Sequence, residues 1–197
     1  MKRLRREFFA RPTLNVARAL LGQRVVRSLD GRRLAGRIVE VEAYLGEADL
    51  ASHARPGRTR RNAPMYGPPG LAYVYFIYGM YHCLNVVTET EGSPAAVLIR
   101  ALEPLEGVEI MRCHRPGRSD CDLTNGPGKL CQALAIDRAL NCADLCQGNL
   151  LWIEAGPSVS DGQVATSPRV GVRGDARARI VPWRFYVAGH PCLSRRH

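Results

Sequence analysis

The chain has 197 residues, 46% of them hydrophobic, and its 28 lysines and arginines against 18 aspartates and glutamates give a formal charge of +10. That length supports one sizeable core and leaves too little for a second. No run of eighteen apolar residues and no signal-peptide segment is present, so a soluble, intracellular protein is expected.

Residues 3–6 form a basic stretch within an amino-terminal arm over 1–10, and Thr13 is placed to cap a helix over 14–21 that stops at Gly22. A first hairpin joins strands over 23–28 and 34–44 through Asp30-Gly31. A loop rich in Pro, Gly and Arg covers 54–70, and a second hairpin, 73–78 with 83–88, turns around Gly79. The run 95–102 reads as a strand, 105–113 and 129–135 as helices, and 150–154, 169–172 and 183–187 as further strands, with a polar excursion over 156–168. The pattern predicts an α+β fold in one compact domain over 1–197, with a mainly antiparallel mixed sheet, flanking helices and a protruding β-hairpin.

Within the second strand, a period of two sends Glu40, Glu42 and Tyr44 to one face and Val39, Val41 and Ala43 to the other. Two carboxylates and a phenol near a strand end suit acid–base chemistry; a solvated strand face is the plainer alternative. Tyr73, Tyr75, Tyr78 and Tyr81 crowd the second hairpin of a basic protein, where aromatic side chains can stack on bases or wedge between them. Core packing of aromatic strands explains the same run. Just upstream, Arg58, Arg60 and Arg61 cluster in a polar loop suited to phosphates. Arginine supplies nearly all of the positive charge, a bias that fits bidentate phosphate contact and that high-GC coding also produces.

Other motifs mostly exclude. Gly126-Pro127-Gly128-Lys129 offers N–H groups and an ammonium to a phosphate, but lacks the spacing and the following Ser/Thr of a nucleotide-binding P-loop. The five histidines show no metal-ligand spacing, and the seven cysteines form an odd set without a CxxC pair, so reduced, small, buried thiols are expected and no catalytic metal. A structural metal among the cysteines between 113 and 146 is the alternative.

Together these residues resemble the alkyladenine (3-methyladenine) DNA glycosylase family. The likeness runs from about 14 to 194 through GRIVEVEAYLG at 36–46, Asp49 with His53, Arg61-Asn62 with Met65, YVYFIYGMY at 73–81, Leu84-Asn85, VLIRALEPLEG at 97–107, Gly126-Pro127 with KLCQAL at 129–134, RVGV at 169–172 and RFYV at 184–187. The resemblance implies a monofunctional, cofactor-free monomer that acts on double-stranded DNA containing damaged purines. It would flip an alkylated purine out of the stack and hydrolyse its N-glycosidic bond, leaving an abasic site without strand cleavage. On that likeness Glu42 deprotonates the attacking water, with Glu40 its rival; Arg100 holds the backbone near the flipped nucleotide and, with the Val170 carbonyl, helps to place that water. Tyr44, His53 and Tyr75 sandwich the base, and Asn85 discriminates against the amine of normal guanine. Tyr78 fills the vacated stack beside Met80 and Tyr81, and Lys129 with Arg58, Arg60 and Arg61 grips phosphates. The short amino terminus points to a bacterial-type, cytoplasmic, nucleoid-associated protein without membrane contact. A catalytically silent binder of damaged or bent DNA, or a hydrolase of free nucleosides, are the competing classes.

Overall fold

A computed structural model describes residues 2–172 and 174–195; Met1 of the arm and His197, one of the five histidines, lie outside them. The arm lies along the body. The Leu4 N–H donates to the Ile153 carbonyl, and a helical turn, α1 (Arg6–Phe9), buries Phe9 completely.

Among the described residues eight strands make one antiparallel sheet: β1 (Arg24–Leu29), β2 (Arg32–Leu45), β3 (Ala72–Ile77), β4 (Tyr81–Thr88), β5 (Ala95–Glu106), β6 (Leu151–Glu154), β7 (Val164–Ser167) and β8 (Arg184–Val187). The order is β3-β4-β5-β2-β1-β6, with β8 against β2 and β7 against β8. β2 is the axis. Its first half pairs with β1, Glu40 to Glu42 pair with β8, and β5 runs along its other edge. With the helices that flank it, this is the α+β domain that the alternating segments lead one to expect.

Each face of the sheet has its own chemistry. Val41 and Ala43 lie opposite Ile99 and Val97, and with Val74, Leu84 and Val86 they pack against α2 (Thr13–Leu20) and α5 (Pro127–Ala133) in the main core. Each buried valine, leucine or isoleucine side chain among them contributes roughly 1.5–3 kcal/mol. On the other face Tyr73, Asn85, Leu98, Glu42 and Arg184 are direct cross-strand partners in succession, one row across five strands.

Two bulges interrupt this row beside the glutamates. The register runs Ile38↔Leu102, Glu40↔Ala101, Val41↔Ile99, so that Val39 is the extra residue on β2 and Arg100 the extra residue on β5. A bulge bends its strand and re-aims its side chains; here the released residue is the arginine that meets both glutamates.

Several local expectations change. Thr13 is the first residue of α2 rather than its cap: its N–H and hydroxyl both donate to Glu89, so a distant carboxylate caps the helix. β5 continues through Glu106, because β2 still pairs with it there, and the helix expected from 105 begins beyond Gly107 as α3 (Val108–His114). A short helix, α4 (Asp120–Thr124), was not foreseen. Residues 169–172 are not a strand: the Arg169 side chain is drawn inward and Gly171 takes φ +69°, while the strand that pairs with β8 is β7, inside the expected polar excursion. Cys121 and Cys192 form a disulfide across 71 residues, Cys113 and Cys142 are exposed, and only Cys83 and Cys131 fit the expected small buried thiol. Among the described residues no His, Cys, Asp or Glu cluster could hold a metal, and no helix is long and apolar enough to cross a membrane.

Candidate active site

β2 sets Glu40 and Glu42 on the sheet face opposite the main core, yet both carboxylates are fully buried, which removes the solvated-face reading. A buried carboxylate must be paired and hydrogen-bonded. Glu42 is held from three sides: the Tyr44 hydroxyl donates to Oε2 at 2.9 Å, the Val170 N–H to Oε1 at 2.6 Å, and an Arg100 amine lies 3.1 Å from Oε1. Tyr44, Arg100 and Val170 line a cavity of about 950 Å³, the size of a small-molecule site. Glu42 thus stands immediately behind the cavity wall.

Glu40 has a different occupation. It accepts from Arg184 at 2.7 Å, from Arg100 at 2.9 Å, and from the Ser194 N–H and hydroxyl at 2.6 and 2.7 Å. Burial pushes its carboxyl up, but the Arg184 bond, the Arg100 charge and Ser194 together hold it below the usual glutamate range. With its lone pairs committed, in part to the fully buried Arg184, Glu40 is a scaffold for Arg100, whereas Tyr44, Arg100 and Val170, which hold Glu42, all line the cavity.

A second ion pair anchors the wall. Arg169 donates to Asp49 at 2.5 and 2.8 Å and to the Ala43 carbonyl at 2.9 Å, and its guanidinium lies 4.7 Å from the Tyr44 ring centre and 4.9 Å from that of Trp183. Asp49 also accepts from the Leu45 and Ala51 N–H groups. The pair therefore joins the end of β2 to the segment whose next residue, Val170, bonds Glu42. The expectation for Val170 concerned its carbonyl; the contact made is through its N–H. Asp49 and Arg169 stand in the resembling blocks, but nothing local signals that they meet.

The segment between β2 and β3 closes the cavity from above. Asn62, itself buried, donates to the His53 and Gly57 carbonyls and accepts from the Thr59 N–H, so one amide fixes the loop that bears His53. The His53 Nδ1 is 2.9 Å from the Tyr73 hydroxyl, and burial followed by the charge of Arg61 pulls the imidazole below its ordinary pKa, which keeps it neutral near pH 7. Burial, followed by the Glu42 charge, pushes the Tyr44 phenol well above its ordinary range, so it stays a hydrogen-bond donor.

Tyr44 and His53 lie in the cavity wall. Tyr75 stands behind, its ring edge-on to His53 at 4.5 Å, and Asn85 is buried with its amide donating to the Tyr73 carbonyl at 3.0 Å. At the tip of the second hairpin Tyr78 and Gly79 take φ of 55° and 69°, with Met80 N–H donating to the Ile77 carbonyl, the signs of a type I′ turn. Tyr78 is 77% and Met80 65% exposed, and Tyr78 and Tyr81 border the cavity mouth. Arg58 and Arg60 are exposed at its approach; Arg61 and Lys129 line it, with Lys129 bonded to Asn125 at 2.7 Å.

Residues 7–191 match the methylpurine-DNA glycosylase family profile. The chain is 55% identical over 194 residues to a Methanocella arvoryzae protein provisionally named a 3-methyladenine DNA glycosylase, covering 98% of this chain and 96% of that protein. It is 51% identical over 205 residues to a DNA-3-methyladenine glycosylase of Mus musculus, covering 98% of this chain and 61% of the mouse protein.

Proposed function

The chain belongs to the methylpurine-DNA glycosylase family and is a DNA glycosylase, and we propose that it excises alkylated purines from duplex DNA by hydrolysis, leaving an abasic site and an uncut strand. The observation that carries this reading is the placement of Glu42, a fully buried carboxylate held by three groups that themselves line the cavity.

A base within a duplex cannot reach such a cavity, so the nucleotide must leave the stack, at a cost of a few kcal/mol that damage and poor pairing reduce. Tyr78, exposed on a tight turn, fills the gap, and the arginines at 58, 60 and 61 with Lys129 hold the phosphates. Tyr44 and His53 face the flipped base, with Tyr75 stiffening His53 from behind. Electron-rich faces favour a cationic ring, so 3-methyladenine and 7-methylguanine are the substrates that best fit, ahead of hypoxanthine and ethenoadenine. A cationic purine leaves as a neutral base, and its departure needs no acid.

As the bond from C1′ to the base nitrogen breaks, the sugar takes on oxocarbenium character, which the Glu42 carboxylate stabilises. Glu42 accepts a proton from the attacking water, whose oxygen bonds to C1′. Arg100, fixed by Glu40, sets the orientation of Glu42. Asn85, already committed to the Tyr73 carbonyl, shapes the site from behind the wall and disfavours the guanine amine through that fixed packing.

The test is single-turnover release of 7-methylguanine and 3-methyladenine from alkylated duplex DNA by wild type and Glu42→Gln, with EDTA present. Release by wild type, its loss in the variant, retained DNA binding and an uncleaved abasic strand are expected. No release by either protein, with binding intact, would leave a silent binder of damaged DNA.

A further inference from the structure

The carboxyl-terminal tail reaches the centre of the site. Ser194 lines the cavity, donates its N–H and hydroxyl to Glu40, and accepts from Arg100 Nη2 at 3.1 Å, while Arg100 lies 3.1 Å from Glu42. Ser194 is therefore two contacts from the carboxylate assigned to the chemistry. The Arg195 carbonyl accepts from Arg184, the other partner of Glu40.

Among the described residues no regular secondary structure holds this tail after β8. Two anchors do. Cys192 and Leu193 are buried against Val39 and Ala101, the neighbours of Glu40 and Arg100 in the two strands, and the Cys121–Cys192 disulfide ties the tail to α4. α4 is itself fixed to β5, since the Thr124 hydroxyl donates to the Leu102 carbonyl at 2.7 Å. The result is a closed circuit from Arg100 along β5 to α4, across the disulfide to Cys192, and through Ser194 back to Arg100.

We infer that Ser194 is a positioning residue for base release and that the Cys121–Cys192 disulfide makes its placement depend on redox state, so that a dithiol slows hydrolysis without weakening the grip on DNA. The inference rests on the proposed role of Glu42. A dithiol transfers two electrons and two protons to the bridge, becoming a disulfide itself and leaving Cys121 and Cys192 as thiols. The apolar anchor remains, so the protein stays folded. Ser194 then moves off Glu40 and Arg100, and Glu42 loses the fixed guanidinium that aligns it. Of the groups expected to touch DNA, Arg100 alone belongs to this circuit, and its contact with the backbone is beside a flipped nucleotide, which undamaged duplex does not present.

The experiment compares oxidised and dithiothreitol-reduced wild type with Ser194→Ala, Ser194→Thr and Cys121→Ser/Cys192→Ser. Single-turnover release of 7-methylguanine, affinity for undamaged duplex, and hydrogen exchange of the Ser194 amide are measured on each. Reduction of wild type should slow release about tenfold, the scale of one lost hydrogen bond to a charged group, speed exchange of the Ser194 amide, and leave affinity for undamaged duplex unchanged. The double cysteine variant should match reduced wild type and ignore dithiothreitol, Ser194→Ala should be slow in either state, and Ser194→Thr should recover the oxidised rate. Equal rates before and after reduction, or an amide whose protection does not change, would overturn the inference, as would a parallel loss of affinity and thermal stability. Faster amide exchange on reduction in a protein that releases no base at all would sustain the coupling and sink the alkylpurine reading instead.

Discussion

Replacing Asp49 by Asn keeps the shape of the side chain and removes its charge, leaving the Arg169 guanidinium in a pocket where neither partner has more than about 1% of its side chain exposed. Arg169 would keep its bonds to the Ala43 and Ala178 carbonyls and one bond to the amide oxygen at position 49, but the amide nitrogen that replaces the other carboxylate oxygen cannot accept. Breaking a buried ion pair at one end costs about 3–5 kcal/mol, because the charge left behind is uncompensated. For a domain of this size about 2–4 °C of melting temperature go with each kcal/mol, so Asp49→Asn should melt roughly 6–20 °C below wild type. The assay is a double-mutant cycle by thermal unfolding with Asp49→Asn, Arg169→Met and the double variant. The double variant should melt above Asp49→Asn, since it removes the stranded charge. Additive losses, or a single loss under about 1 kcal/mol, would refute the view that this pair locks the end of β2 to the Val170 segment.

For Tyr78→Ser, excision from duplex DNA should fall more than excision from single strands, because a filler matters only where a stack must be held open; equal losses would remove Tyr78 from that role. With Arg58→Ala, binding should weaken on every sequence and log affinity should depend less steeply on log salt, and an unchanged slope would exclude contact between this loop and phosphate. The depressed pKa of Glu40 predicts a pH dependence of stability: its contribution is complete above the ordinary glutamate value of about 4.3 and is lost as pH falls through the lower folded value. Denaturant unfolding of wild type and Glu40→Gln across that window should show a flatter acid limb in the variant, and identical limbs would contradict the network drawn around Glu40.

Alternation alone placed Glu40, Glu42 and Tyr44 on one side of β2 and foresaw both hairpins, because a period of two is a local property of the chain. What escaped the sequence is what joins residues far apart along it. Asp49 finds Arg169 across 120 residues, Cys121 finds Cys192 across 71, and Ser194 reaches Glu40 across 154. Residues 169–172 read as a strand since Val170 and Val172 alternate with polar neighbours, yet tertiary pairing of Arg169 overrides that preference. Thr13 looked like a cap for the same reason: the true partner of the first turn, Glu89, is supplied by a segment beyond β4. That Glu40 is tied to the fully buried Arg184 while Tyr44, Arg100 and Val170 around Glu42 all line the cavity also depended on packing, since both carboxylates stand on the same face.

The extra residues Val39 and Arg100 lie on facing strands, one on each side of the Glu40–Ala101 pair. Each stands outside the ladder, so deleting either one would close its own bulge and leave the neighbouring pairs in place. Loss of Val39 would straighten β2 beside Glu40, whereas loss of Arg100 would straighten β5 and take away the guanidinium that meets both glutamates. The sheet is therefore indifferent to a change of length that, in β5, erases the site.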